Sequence, residues 1–184
     1  MSNRVFSPFP ILKTRRLVLR QLVDTDVHEI FALRSNESVN KYLDRRPAQS
    51  LEDATSFIQA INESVKKNDS AYWAISLNDK LIGTVCLFDF SSDNTKAEMG
   101  FELLPACQGK GFMQEAVTAV LDYAFQQIQL HSIEAYTHAE NLNSIRLLEK
   151  LHFKKQLLPE NNPGENMIAF KLSINTSASV KDEQ

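Results

Sequence analysis

A chain of 184 residues, 43% hydrophobic and 23% charged, has the composition of a globular protein and a comfortable length for one core. Its net charge of −3 at pH 7 excludes a global basic field of the kind that drives non-specific nucleic-acid binding. Its five glycines, against about 13 at average usage, exclude collagen-like repeats, flexible linkers and low-complexity tracts.

No internal repeat or Pro/Gly/Ser-rich linker interrupts the middle, so residues 1–174 are expected to form one domain, followed by a polar, frayed tail over 175–184. Leu12 to Leu22 is rich in Leu and Val with Arg16 and Arg20 interleaved, which suits an edge strand whose basic residues form a solvated face. Asp26-Val-His-Glu29 has capping-box spacing and predicts a helix carrying Val27, Ile30, Phe31 and Leu33. A second helix follows Ser50, with Ala54, Phe57, Ile58, Ile61 and Val65 at helical spacing. Three strand-like runs come next, 71–77, 81–90 and 96–104, separated by Asn78-Asp79-Lys80 and Ser91-Ser-Asp-Asn94; they read as an antiparallel meander. A short loop containing Gln108-Gly-Lys-Gly111 leads into a helix from Phe112 to about Gln127. A strand over 132–138, a short helix over 144–151 and two strands near 153–158 and 167–174 complete the chain. Hairpins joined to βαβ units imply an α/β fold: a mixed, mostly antiparallel seven-stranded sheet with helices on both faces.

Two glycines at the start of a helix point to an anion site. The first amides of a helix have no intrahelical partner and lie at the positive end of its dipole, while Gly109 and Gly111 let the backbone approach a pyrophosphate and Lys110 adds charge. Two common phosphate motifs do not fit. Gly111 stands where a P-loop needs Ser or Thr, and Gln114 stands where a dinucleotide fold needs its third glycine. Asn141 and Ser144 open the later helix and read on their own as capping residues. Cys86 and Cys107 are too few for a disulfide framework, and no apolar stretch reaches bilayer length, so a cytoplasmic protein with reduced thiols is expected. The four histidines show no ligand spacing, and no metal is expected.

Taken together, TRRLVLRQLVDTDVHEIFAL (14–33), QGKGFM (108–113) and NLNSIRLLEKLHF (141–153) resemble the GNAT superfamily of acyl-CoA-dependent N-acetyltransferases, in particular the group that acetylates ribosomal proteins on N-terminal Ala or Ser. The loop matches the superfamily's Q/R-x-x-G-x-G/A signature, and the third segment its N-x-x-S-x-x-x-L-E-K-L-G-F. Three departures stand out: Met113 where Gly or Ala is usual, His152 where Gly precedes Phe153, and Leu148 where many members carry a tyrosine that protonates the leaving thiolate.

The resemblance implies acetyl-CoA as co-substrate. Its pantetheine arm would lie along a splayed strand at Phe101, Glu102 and Leu103, and its pyrophosphate on Gln108, Gly109, Lys110, Gly111, Phe112, Met113 and Gln114. Asn141 would bond the arm and Ser144 would lie near the sulfur. A protonated amine cannot attack a thioester, so a base is needed; Glu98 and Glu102 share one strand face, and Glu98 falls where family members keep a catalytic glutamate. Ser144 is the candidate proton relay to the thiolate. The implied partner is a primary amine, a protein N-terminus or a small molecule, held by the two early helices and the loop from Pro159 to Asn166, in a monomer or homodimer with no membrane or nucleic-acid partner. The competing reading is a non-catalytic acyl-CoA or nucleotide sensor.

Overall fold

A computed structural model describes residues 4–157 and 166–174. Its helices are α1 (Val27–Ser35), α2 (Glu37–Asn40), α3 (Leu51–Lys66), α4 (Phe112–Tyr123) and α5 (Leu142–Lys150). Its strands are β1 (Leu12–Lys13), β2 (Val18–Arg20), β3 (Ala71–Leu77), β4 (Lys80–Phe88), β5 (Lys96–Leu103), β6 (Ser132–His138), β7 (Lys154–Gln156) and β8 (Met167–Ser173). They form one sheet in the order β1-β2-β3-β4-β5-β6-β8-β7, in which only β5 and β6 pair parallel. The tail 175–184 and the loop from Pro159 through Glu165 lie outside the described residues.

The sheet has eight strands where the sequence predicts seven. The run from Leu12 to Leu22 is broken into a hairpin, with Thr14 N–H donating to the Leu17 carbonyl at 3.0 Å and the Thr14 hydroxyl accepting from Leu17 N–H at 3.0 Å. A threonine hydroxyl therefore makes a turn with no Gly or Pro to announce it. Asp26 does not cap α1 with its side chain. Its buried carboxylate instead takes both guanidinium nitrogens of Arg20 at 2.8 Å and the Val23 N–H at 2.9 Å. Ser50 does cap α3, accepting from Asp53 N–H at 3.2 Å, and Ala54, Ile58 and Val65 are buried. Helix α4 ends sooner than expected, widening into a π turn over Ala124–Ile128 that stops at left-handed Gln129.

Helices cover both faces of the sheet. On β3, Tyr72 meets Phe57 of α3 edge-on at 5.8 Å on one face, and Trp73 meets Tyr123 of α4 at 5.8 Å on the other. Trp73 is fully buried, packs against Phe9 at 5.6 Å, and donates its indole N–H to the Pro10 carbonyl at 2.9 Å. Removing a buried aromatic of this kind costs about 3–5 kcal/mol, so this contact is a main fastening between sheet, α4 and the N-terminal arm.

Candidate active site

The site begins where a strand pairing stops. Strands β5 and β6 pair only at Lys96–Ser132, Ala97–Ile133 and Glu98–Glu134. Beyond Glu98, β5 stays with β4 as far as Leu103, whereas β6 stays with β8 as far as His138. The parallel pair thus opens into a cleft. Leu104 N–H donates toward β4, to the Ile82 carbonyl at 2.9 Å, so by alternation the backbone groups of Phe101 and Leu103 face the cleft. Gln108 already donates to the Leu103 carbonyl at 3.0 Å. Gly83 on β4 permits the close approach of β5: a Cβ there would sit 2.3 Å from the Glu102 carbonyl oxygen.

At the mouth of the cleft lies the turn Pro105–Cys107 followed by Gly109 and Gly111, with φ of 74° and 77°. Such left-handed backbone strains any residue with a Cβ. Gly111 is the N-cap of α4 and has no side chain to satisfy the first amides; the Glu115 N–H bond to the Gly111 carbonyl, 3.1 Å, starts the ladder. The amides of Phe112, Met113 and Gln114 remain to meet an anion. Lys110 folds back to donate to the Ala106 carbonyl at 2.8 Å. Met113 is buried in the core, so its side chain does not crowd the loop.

Sequence reading missed Arg16 here, placing it on a solvated face. Its Nε pairs with Glu115 at 2.6 Å, its Nη1 donates to the Lys110 carbonyl at 3.0 Å, and its guanidinium lies 4.4 Å over the Phe112 ring. Glu115 also accepts from Arg16 N–H at 2.8 Å and from the Thr14 hydroxyl at 2.6 Å. The β1–β2 hairpin is thereby tied to the first turn of α4, and a second cation stands against the glycine loop. The 94 residues between Arg16 and Lys110 leave no local signal for this contact.

Glu98 is the last residue of β5 paired to β6, at the apex of the cleft. Among the described residues it makes no hydrogen bond or ion pair, and partial burial, then Asp89 and Glu134, push its carboxyl up to about 7. Glu102 shares that strand face but is committed, gripped by both terminal nitrogens of Arg45 at 2.5 and 2.7 Å. Arg45 Nε in turn donates to Asn40 at 2.7 Å. The segment from Lys41 to Ala48 touches the other lip as well, where Tyr42 stacks on His138 of β6 at 5.4 Å. Cys86 lies between the two glutamates on the neighbouring strand; burial pushes its thiol up to about 12, and it donates to the Gly100 carbonyl at 3.6 Å.

On the far side of the cleft, Asn141 caps α5, its side-chain oxygen accepting from Ser144 N–H at 3.3 Å. The Ser144 hydroxyl has no partner among the described residues. Leu148 is fully buried and faces the core. His152 has φ of 67°, and its N–H and that of Phe153 close the helix onto Glu149 and Leu148 at 3.0 Å. This is the left-handed helix end that glycine fills most easily. No group of three or more His, Cys, Asp or Glu among the described residues could hold a metal, and no described helix is long and apolar enough to cross a membrane.

A sheet that opens beside a glycine loop and a helix start, with a carboxylate at the apex, is the frame that the resemblance implies for an acyl-CoA-dependent transferase. The family model for the acetyltransferase (GNAT) domain matches residues 16–154, and the chain belongs to that family. It is an N-acetyltransferase of the GNAT type. YoaA of Bacillus subtilis (strain 168), an uncharacterized N-acetyltransferase, is 36% identical over 150 residues, 80% of this chain and 85% of its own. The spermidine N(1)-acetyltransferase of Vibrio cholerae is 28% identical over 142 residues, covering 77% of this chain and 80% of that protein. Among solved structures, RimL, a ribosomal L7/L12 alpha-N-protein acetyltransferase in complex with coenzyme A, superposes with a TM-score of 0.78 at 17% identity, over 90% of this chain and 98% of that one. That likeness is one of fold.

Proposed function

We propose that this protein transfers the acetyl group of acetyl-CoA to a primary amine by direct attack, with Glu98 as the base. The observation that carries the reading is an uncommitted carboxyl, raised to about 7, at the apex of a cleft whose mouth is built for a phosphate. Residues 1–174 act as one unit in this reading. Acetyl-CoA supplies an activated thioester carbonyl. The amides from Gly109 to Gln114 hold its pyrophosphate and Arg16 adds charge there, while the backbone groups of Phe101 and the N–H of Leu103 pair with its arm. The Asn141 side-chain amide keeps its N–H donors for the same arm, since only its oxygen is used in the cap.

An α-amine with an ordinary pKa near 8, or a lysine-type amine near 10.4, arrives protonated at pH 7. Glu98 accepts that proton because its own value sits close to neutrality, where a base is both ionised and effective. Glu102 is assigned a different role, since its bond to Arg45 fixes the segment across the cleft. A backbone N–H near Leu103 stabilises the oxyanion. Leu148 brings no proton to the thiolate; the uncommitted, partly exposed Ser144 hydroxyl donates its proton there and takes one from solvent in return.

The acceptor is an amine on a protein N-terminus or a small molecule; the relatives include a RimL of the first kind and a spermidine enzyme of the second. Thiol release from acetyl-CoA with a panel of peptide and small amines tests the reading. Amine-dependent release in the parent and its loss in Glu98→Gln are expected. Release without amine in both, or tight CoA binding with no release, would overturn it.

A further inference from the structure

The acceptor side of the cleft carries two cations, Arg34 and Arg46, that make no ion pair among the described residues. Arg34, in the last turn of α1, lies with its guanidinium 3.7 Å over the Phe57 ring, and no hydrogen bond or ion pair reaches it among the described residues. Stacking uses one face of the group and leaves its in-plane donors free. Burial, then the neighbouring Arg45, outweighs the opposing pull of Glu102 and holds it below the ordinary arginine value.

The surrounding segment brings a second cation to the same place. The Arg34 carbonyl accepts from Ala48 N–H at 3.1 Å and from the Asn40 side chain at 2.8 Å, so the chain from Asn40 to Ala48 is wound onto it. Arg34, Arg46, Pro47, Ala48 and Asp53 then enclose a pocket of about 170 Å³. Arg46 is exposed and has no ion pair among the described residues. The single carboxylate, Asp53, is occupied in the cap of α3, accepting from Gln49 N–H at 2.7 Å. Glu102, the other carboxylate that Arg34 feels, is already clasped by Arg45, so two guanidinium groups against the one lining carboxylate leave the pocket short of a negative charge.

The position of the pocket relates it to the reaction. The same segment carries Arg45, which clasps Glu102, and Glu102 stands four residues from Glu98 on one strand face, about 13 Å away. At the apex the charge is opposite, with Asp89, Glu98 and Glu134 gathered around the place where an ammonium must arrive. An acceptor that satisfies both ends is cationic at its amine and anionic further along, beyond Glu102 on the side of the cleft where the segment from Asn40 to Ala48 lies.

We infer that the acceptor is a peptide N-terminus bearing an anionic side chain, carboxylate or phosphate, within its first few residues, which docks between Arg34 and Arg46. This inference rests on the acetyltransfer reading above. A polyamine offers nothing to two arginines and is repelled by them.

The test is a set of N-terminal Ser hexapeptides carrying one Glu, one phosphoserine or one Gln at each of positions two to five, with spermidine alongside. In the parent, Glu or phosphoserine at one of these positions is expected to raise kcat/KM at least roughly tenfold over Gln, and the two anion arms show which charge is preferred. In Arg46→Ala, and separately in Arg34→Gln, that ratio collapses toward one. A structural defect would lower both members of a pair together and leave the ratio unchanged. Peptides acetylated without regard to charge, or spermidine preferred over all of them, would overturn the inference while leaving acetyl transfer intact. If no amine is acetylated, the functional reading fails first. Calorimetric titration of the best-charged peptide into CoA-saturated protein then decides the pocket alone: binding weakened by Arg46→Ala supports it, and no difference from the Gln peptide overturns it.

Discussion

Single residues account for the sharpest expectations. Glu98→Gln should lower kcat roughly 100-fold or more and remove the acid limb of the pH–rate profile, which in the parent rises through about 7. Stability should change in the opposite sense. Glu98 titrates near 4.5 when unfolded and about 7 when folded, so between those values the folded state holds more proton and its stability falls as pH rises. Thermal melts of Glu98→Gln should therefore gain over the parent at pH 8 and little at pH 4. Glu102→Gln should leave the acid limb in place and instead raise KM for the acceptor, because it frees Arg45 and the segment across the cleft. His152→Gly should raise Tm by roughly 2–4 °C, since the exposed imidazole sits in left-handed backbone that costs a non-glycine residue about 1 kcal/mol. That Glu98 and Glu102 share a face was legible from their spacing. That one is committed and the other is not depends on Arg45, 57 residues from Glu102, and no periodicity carries that information.

Elements were legible where the chain punctuates itself. β3 and β6 occupy the expected residues, and the turn after β3 falls on Asn78 and Asp79, both with positive φ. The first hairpin was not legible, because its turn is made by a threonine hydroxyl and pinned from outside by Glu115. The four-residue α2 is too short to show a period. The tie between hairpin and α4 has a kinetic consequence. Arg16→Ala should raise KM for acetyl-CoA several-fold, more steeply at low ionic strength, with kcat little changed, because the lost charge acts on binding. Glu115→Gln should move KM the same way by loosening Arg16, as steady-state rates at varied acetyl-CoA would reveal.

At the scale of the molecule, the sheet consists of a five-stranded part and a three-stranded part that share three residue pairs and the crossover through α4. A ligand lying in the cleft bridges the two parts, so binding should show in global stability. At 100 times its dissociation constant, coenzyme A should add about 2.7 kcal/mol, a rise in Tm on the order of 5–10 °C by scanning fluorimetry. Hydrogen exchange should slow most at Phe101 and Leu103, whose amides face the cleft in the absence of ligand. The cleft itself was foreseeable only through the family resemblance, since composition and periodicity say that β5 and β6 are strands but not where they part.

The lone tryptophan offers a way to watch this architecture come apart. Trp73 is sealed between Tyr123 and Phe9, with its indole proton on the Pro10 carbonyl. Its emission therefore reports whether the N-terminal arm is seated and α4 is docked, without any introduced dye. Detachment of the arm alone would redden the fluorescence before far-ultraviolet dichroism changes, whereas a single concerted transition in both signals would mean that the arm and the sheet melt as one unit.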